Sequence, residues 1–199
     1  EIRPGLIAEI AGNPIVATYF DLSLQHAAPG LLRAMKRPGS GESHLGLIDR
    51  IRAAAPDAAL RSSFIVGFPG ESDDDVAGLA AFLEEARLDW AGFFPFSPEE
   101  GTPAAGYGSQ VPPDEAMERL RHLQGIQDAI TAERNAAQIG RAFDVLIDLV
   151  EEGTPVGRSY REAPEIDGAI VLDRGDPGEW VQARITGAFG TDLTAEVVA

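Results

Sequence analysis

The 199-residue sequence contains no cysteine, which excludes a disulfide framework and any thiolate metal site. Histidine is nearly absent as well, and His26, His44 and His122 share no metal-ligand spacing, so no metal ligands are assigned. Basic residues are outnumbered: 16 Lys and Arg stand against 32 Asp and Glu, a net charge of −16. A protein that grips nucleic acid through its phosphates needs a basic face, so this balance points to a basic protein partner or a small molecule. No apolar run approaches the ~18 residues of a membrane span, and the opening EIRPGLIAEI lacks a basic-plus-apolar signal segment. The chain therefore reads as cytoplasmic, without membrane association. What remains is ordinary globular composition, 44% hydrophobic and 24% charged. The length suits one large domain, or a medium one with a small companion.

Residues 15–97 repeat a strand-then-helix pattern. The first strand is expected over Ile15 to Gln25. A helix follows over Ser43 to Ala55, with Leu45, Ile48 and Ile51 at helical spacing and Pro56 as its stop. The second strand spans Leu60 to Phe68. Ser72 with Asp75 three places on opens the next helix like a capping box, and Trp90 to Ser97 is the third strand. Such alternation implies a parallel sheet or part of a (β/α) barrel. After a Gly/Pro-rich loop at 98–113, Pro112-Pro113 leads a long helix whose apolar stripe is Met117, Leu120, Leu123, Ile126 and Ile130. Beyond Gly140 the pattern becomes five short strands, near 141–151, 156–160, 166–172, 179–188 and 192–198. This suggests a small OB-like β-barrel. The domains are read as 1–135 and 136–199, with 11 basic against 20 acidic residues in the first and 5 against 12 in the second.

Alternate residues of a strand face opposite sides. On the second strand Leu60, Phe64, Val66 and Phe68 oppose Arg61, Ser63, Ile65 and Gly67. On the first, Thr18, Phe20, Leu22 and Leu24 oppose Tyr19, Asp21, Ser23 and Gln25. A covered parallel strand should be apolar on both sides, and these are not. Either Asp21 and Arg61 simply pair, or the face is wet, or the five polar side chains Tyr19, Asp21, Ser23, Arg61 and Ser63 line a polar cavity. Ligands in barrels bind at the carboxyl ends of strands, where Gln25, His26 and the loop Gly67-Phe68-Pro69-Gly70-Glu71 fall. The glycines there serve turn geometry, or they let the backbone approach a flat cofactor. Asp73, Asp74 and Asp75 suit a helix amino terminus better than a metal. His26 is a general base or a structural residue. His44 and His122 read as surface positions, and Arg33, Lys36 and Arg37 as a solvated helix end.

YFDLSLQHAAPGLLRAMKRPG (19–39), LRSSFIVGFPGES (60–72) and FFPFSPEEGTPAA (93–105) resemble the second half of the radical S-adenosylmethionine barrel of the methylthiotransferases. GRSYREAPEIDG (157–168) resembles the TRAM domain of the RimO branch, which methylthiolates an aspartate β-carbon on a small-subunit ribosomal protein. The sister MiaB branch modifies tRNA adenosine. The resemblance implies an α/β fold: the second half of a partial, TIM-like radical SAM barrel, followed by a five-stranded OB-like TRAM barrel. It implies S-adenosylmethionine and two 4Fe-4S clusters in the intact enzyme. One cluster cleaves the cofactor to a 5′-deoxyadenosyl radical, and the other carries the sulfur. Their cysteine ligands are not in this chain, which reads as an inactive carboxyl-terminal fragment. Cofactor contact is implied at Asp21, Ser23, Gln25, His26, Arg61, Ser63, Ile65, Gly67, Phe94 and Phe96. Arg61 would take the methionyl carboxylate and Ile65 the adenine. The family pattern GxIxGxxE fits loosely, with Ser63 for the first glycine and Glu71 one place late. No catalytic residue is assigned. The acidic module favours a basic ribosomal protein over tRNA. A MiaB-type enzyme and a non-catalytic binding module are the alternatives. Without further barrel strands the first strand has an open edge, which should promote association.

Overall fold

The computed structural model describes residues 2–198. They fold as two compact units. One comprises Asp21–Pro56 and Leu60–Gln127; the other comprises the residues up to Phe20, Asp57–Ala59 and the stretch from Asp128 onward.

The first unit is built on a three-stranded sheet in the order β1-β2-β3, with β1 at Tyr19–Gln25, β2 at Ala59–Val66 and β3 at Trp90–Pro95. β2 and β3 run parallel, in a register that sets Ser63 opposite Gly92 and Ile65 opposite Phe94. β1 is shorter than the expected Ile15–Gln25. Asn13 Oδ1 accepts from the Ile15 N–H at 3.1 Å and the Asn13 carbonyl accepts from Val16, so a turn occupies the first residues and leaves Ile15 exposed.

One face of the sheet carries Leu22, Leu24, Leu60, Phe64 and Val66, all buried. Phe64 stacks on Phe93 at 5.6 Å and meets Phe82 edge-on at 6.1 Å. Phe82 belongs to α4 (Asp73–Ala86), which buries Val76, Leu79, Leu83 and Ala86 with it. That spacing follows the helical period. Ser72 and Asp75 form the expected capping box, and Ser40 with Ser43 forms another that opens α3 at Gly41–Ala54. His44 is a correction: it is buried, not a surface residue, because its ring lies edge-on to Phe82 at 6.2 Å. Its pKa is lowered by burial, against which a hydrogen bond with the His26 backbone acts. His122 is exposed.

Two short helices complete the amino-terminal half, α1 at Pro4–Gly12 and α2 at Pro29–Ala34, with α1 in the second unit. The long helix α5 spans Pro113–Ala136. Its buried line is Ala116, Leu123, Gln127, Ile130 and Thr131, whereas Met117, placed on the stripe from sequence, is 41% exposed. Leu123 and Ile130 of the expected stripe are in this line, and Gln127 joins them by donating to the Leu88 carbonyl at 3.0 Å.

The second unit contains a closed barrel in the order β4-β5-β6-β8-β7. Its strands are β4 Ala142–Glu151, β5 Thr154–Arg158, β6 Ile170–Leu172, β7 Trp180–Phe189 and β8 Asp192–Val197. Inward residues such as Phe143, Val145, Ile147, Ile170, Ile185 and Leu193 fill its core. At Gly157 a Cβ would run into the Leu146 carbonyl, so only glycine lets β5 approach β4 there.

Candidate functional site

The second face of the three-stranded sheet carries Asp21, Ser23, Arg61, Ser63, Gly92 and Phe94. Arg61 is itself buried, yet its guanidinium donates to Asp21 at 3.1 Å and to Ser63 at 3.3 Å. Asp21, with a side chain 45% exposed, thus already supplies the anion expected for Arg61. A Cβ on Gly92 would stand 3.2 Å from the Phe94 ring and 3.4 Å from Arg61 Nη2, so this glycine leaves room for both. Tyr19 departs from the set, because its hydroxyl donates to Asp167 at 2.5 Å.

At the carboxyl ends of the strands lies a cavity of about 280 Å³. Of the residues singled out from sequence for cofactor contact, Gln25, Ile65 and Phe96 line it together. Phe68 and Tyr107 add apolar wall, with their rings edge to face at 6.2 Å. Gln25 closes β1 with φ +68, and the His26 N–H bonds to the Leu24 carbonyl across it. This is a γ-turn of the strained kind, a geometry found at ligand sites. Lys36 and Arg37 stand at the same cavity, as do Met35 and Thr102. Sequence reasoning read Lys36 and Arg37 only as a solvated helix end and passed over Met35 and Thr102, because none of the four carries a periodic signal.

The other expected contacts lie elsewhere. His26 is wholly buried, and its Nδ1 accepts from the Ala27 and Ala28 N–H groups, both at 2.9 Å. Its Nε2 lies 3.6 Å from Glu71 Oε2. The close approach expected of Gly67 is made to Ala116 rather than to a flat ligand: φ is +77, and a Cβ would sit 2.5 Å from the Ala116 Cβ. The Glu71 side chain is fully buried. It accepts from the Gly67 N–H at 2.9 Å and from Arg119 at 3.0 Å. Burial alone would lower the Arg119 pKa, but Glu71, Glu115 and Asp73 outweigh it and the net shift is upward. Asp75 is taken by Ser72.

In the barrel unit the segment 159–167 folds inward on itself. Glu162 Oε2 accepts from the Ser159 N–H at 2.9 Å and hydroxyl at 2.7 Å, while Asp167 accepts from the Ala163 N–H at 3.0 Å. Burial raises the Glu162 pKa against the pull of Ser159 and Arg161. Glu162 is therefore buried and Asp167 half-buried, although both count toward the acidic charge of this unit. Asp144, Glu151, Glu152 and Glu165 do remain exposed.

Residues 139–198 match the TRAM domain family. Over 98% of its length the chain is 45% identical to the ribosomal protein uS12 methylthiotransferase RimO of Streptomyces griseus. Over the same share it is 47% identical to the RimO of Moorella thermoacetica. The chain belongs to the RimO family. It spans 41% of the length of the first of these RimO proteins and 45% of the second. A solved structure, coproporphyrinogen III oxidase (HemN) from Escherichia coli, titled a radical SAM enzyme, superposes with a TM-score of 0.53 at 13% identity. The match covers 94% of this chain and 44% of that one. At that identity the likeness is one of fold, and it agrees with a partial radical SAM barrel in this RimO segment, while the TRAM match covers the closed barrel.

Proposed function

We propose that this chain is part of a radical S-adenosylmethionine enzyme that adds a methylthio group to the β-carbon of an aspartate in ribosomal protein uS12. The observation that carries the reading is 45% to 47% identity, across 98% of the chain, to proteins named for that activity.

The residues at the strand ends suit S-adenosylmethionine. Ile65, Phe68, Phe96 and Tyr107 offer an apolar slot for a planar base, and Gln25 offers both a donor and an acceptor beside it. When bound, the cofactor supplies the hydrogen abstraction and the methyl group of the product. The chain's part is to hold it, orient it and exclude water. Iron–sulfur clusters do not fit this donor set. The two 4Fe-4S clusters that the resemblance implies find no thiolate among these 199 residues.

The exposed acids of the barrel favour a basic protein partner and disfavour the phosphates of tRNA. The deciding experiment supplies the intact, cluster-loaded enzyme with uS12 and with tRNA and follows both by mass spectrometry. Mass gain equal to one methylthio group on the ribosomal protein is expected. Gain on tRNA with uS12 unchanged would replace this reading by the MiaB type, and gain on neither would leave a binding module.

A further inference from the structure

We propose that Lys36 and Arg37 form a carboxylate-binding subsite on the rim of the strand-end cavity. The proposal rests on the function just given, in which both the cofactor and the acceptor aspartate bear carboxylates.

Charge is the first observation. In a chain with twice as many acids as bases, several arginines are already paired with acids. Arg61 lies on Asp21, Arg119 on Glu71, Arg141 on Asp57, Arg158 on Asp148 and Arg174 on Asp173. A larger cavity of about 1020 Å³ in the barrel unit is lined by Arg141 and Arg158, whose charges those pairs already neutralise. Lys36 and Arg37 are adjacent and exposed, line the smaller cavity, and form no ion pair among the described residues. An anion entering beside Gln25 and Ile65 meets two uncommitted donors, and Arg offers a fork matched to a carboxylate.

Backbone geometry is the second. α2 ends with the Lys36 N–H on the Arg33 carbonyl and the Arg37 N–H on the Leu32 carbonyl. Lys36 takes φ +56. This is the Schellman arrangement, whose left-handed position glycine fills at least cost. Lysine stands there instead, and Pro38 fixes the exit. The two cations are thus presented by a rigid turn, which reduces the ordering cost of binding. A bland alternative is that they only complement the dipole of α2, in which case they affect stability and no ligand.

The test titrates the whole chain calorimetrically at low ionic strength with two pairs of probes. One pair is S-adenosylmethionine and its decarboxylated analogue. The other is a basic peptide containing one aspartate and the same peptide with asparagine. A roughly tenfold preference for the carboxylate member of one pair is expected, as for a charge-assisted contact at a partly open site. Preference in the first pair assigns the subsite to the cofactor, and in the second to the acceptor. Lys36→Gln with Arg37→Gln should abolish it, and Lys36→Arg should retain it. Arg33→Gln, the same charge change on an exposed residue outside the cavity lining, should leave it intact. No preference in either pair, or an equal loss in Arg33→Gln, overturns the proposal. If discrimination holds while the intact enzyme fails to modify uS12, the reading of function falls and the subsite stands. The converse result removes the subsite alone.

Discussion

Glu162 and His44 are both buried ionisable side chains, and folding favours the neutral form of each. The consequences for pH are opposite. Glu162 has a folded pKa above the unfolded value near 4.5, so its stability contribution is full below that pH and is lost as pH rises through the folded value. His44 has a folded pKa below 6.5, so its contribution is present above 6.5 and is lost as pH falls through the folded value. Glu162→Gln keeps an oxygen to accept from Ser159 and cannot ionise. The barrel unit of this variant should lose less thermal stability than the unmodified chain between pH 4.5 and pH 7, when melting is followed through the amide NMR signals of the barrel strands. Equal slopes would mean that Glu162 does not titrate in that window. Neither burial was legible in the sequence. Glu162 counts as one acid among many until its segment folds inward, and a histidine in the first turn of α3 gives no sign of Phe82 lying beside it.

Among elements, the loop after β2 is tied to α5 by one carboxylate. Glu71 holds the Gly67 N–H and Arg119 at once, with its own side chain out of solvent. Without Glu71, Arg119 keeps Asp73 and Glu115, but the buried Gly67 N–H loses its acceptor, at about 1–3 kcal/mol. Glu71→Ala should therefore lower the urea unfolding free energy by about that amount, whereas a surface change such as Glu84→Ala should stay within about 0.5 kcal/mol. A loss below about 1 kcal/mol in Glu71→Ala would make this tie incidental. Elements set by local chemistry were readable in advance: the Ser72 and Asp75 cap, and the five alternating strands of the barrel. Those set by distant partners were not. On α5 Gln127 is buried against the Leu88 carbonyl, a position the apolar spacing did not mark, while Met117 is exposed. Gly67 owes its identity to Ala116, 49 positions on, by its left-handed φ and the 2.5 Å approach.

On the scale of the whole molecule, β1 lies at one edge of its sheet and has no outer strand partner among the described residues. An open strand edge exchanges its outward amides quickly and invites pairing. Hydrogen exchange of dilute chain should show β1 amides divided into fast and slow sets, with the fast set gaining protection as concentration rises and association begins. Uniform protection along β1 in a dilute monomer would contradict this. The polar side of this sheet was legible as alternation, yet Asp21, Ser23, Arg61 and Ser63 do not line the strand-end cavity, and of the polar positions named there only Gln25 does. The cavity's remaining wall was not legible, because Lys36, Arg37, Thr102 and Tyr107 arrive from turns whose positions only the closed fold defines.

Lys36 is the sole lysine in the sequence. An amine-directed acylating reagent therefore has one side-chain target in all 199 residues, and that target sits on the cavity rim. Its labelling rate, read against that of the amino terminus, would report occupancy of the cavity without any engineered tag.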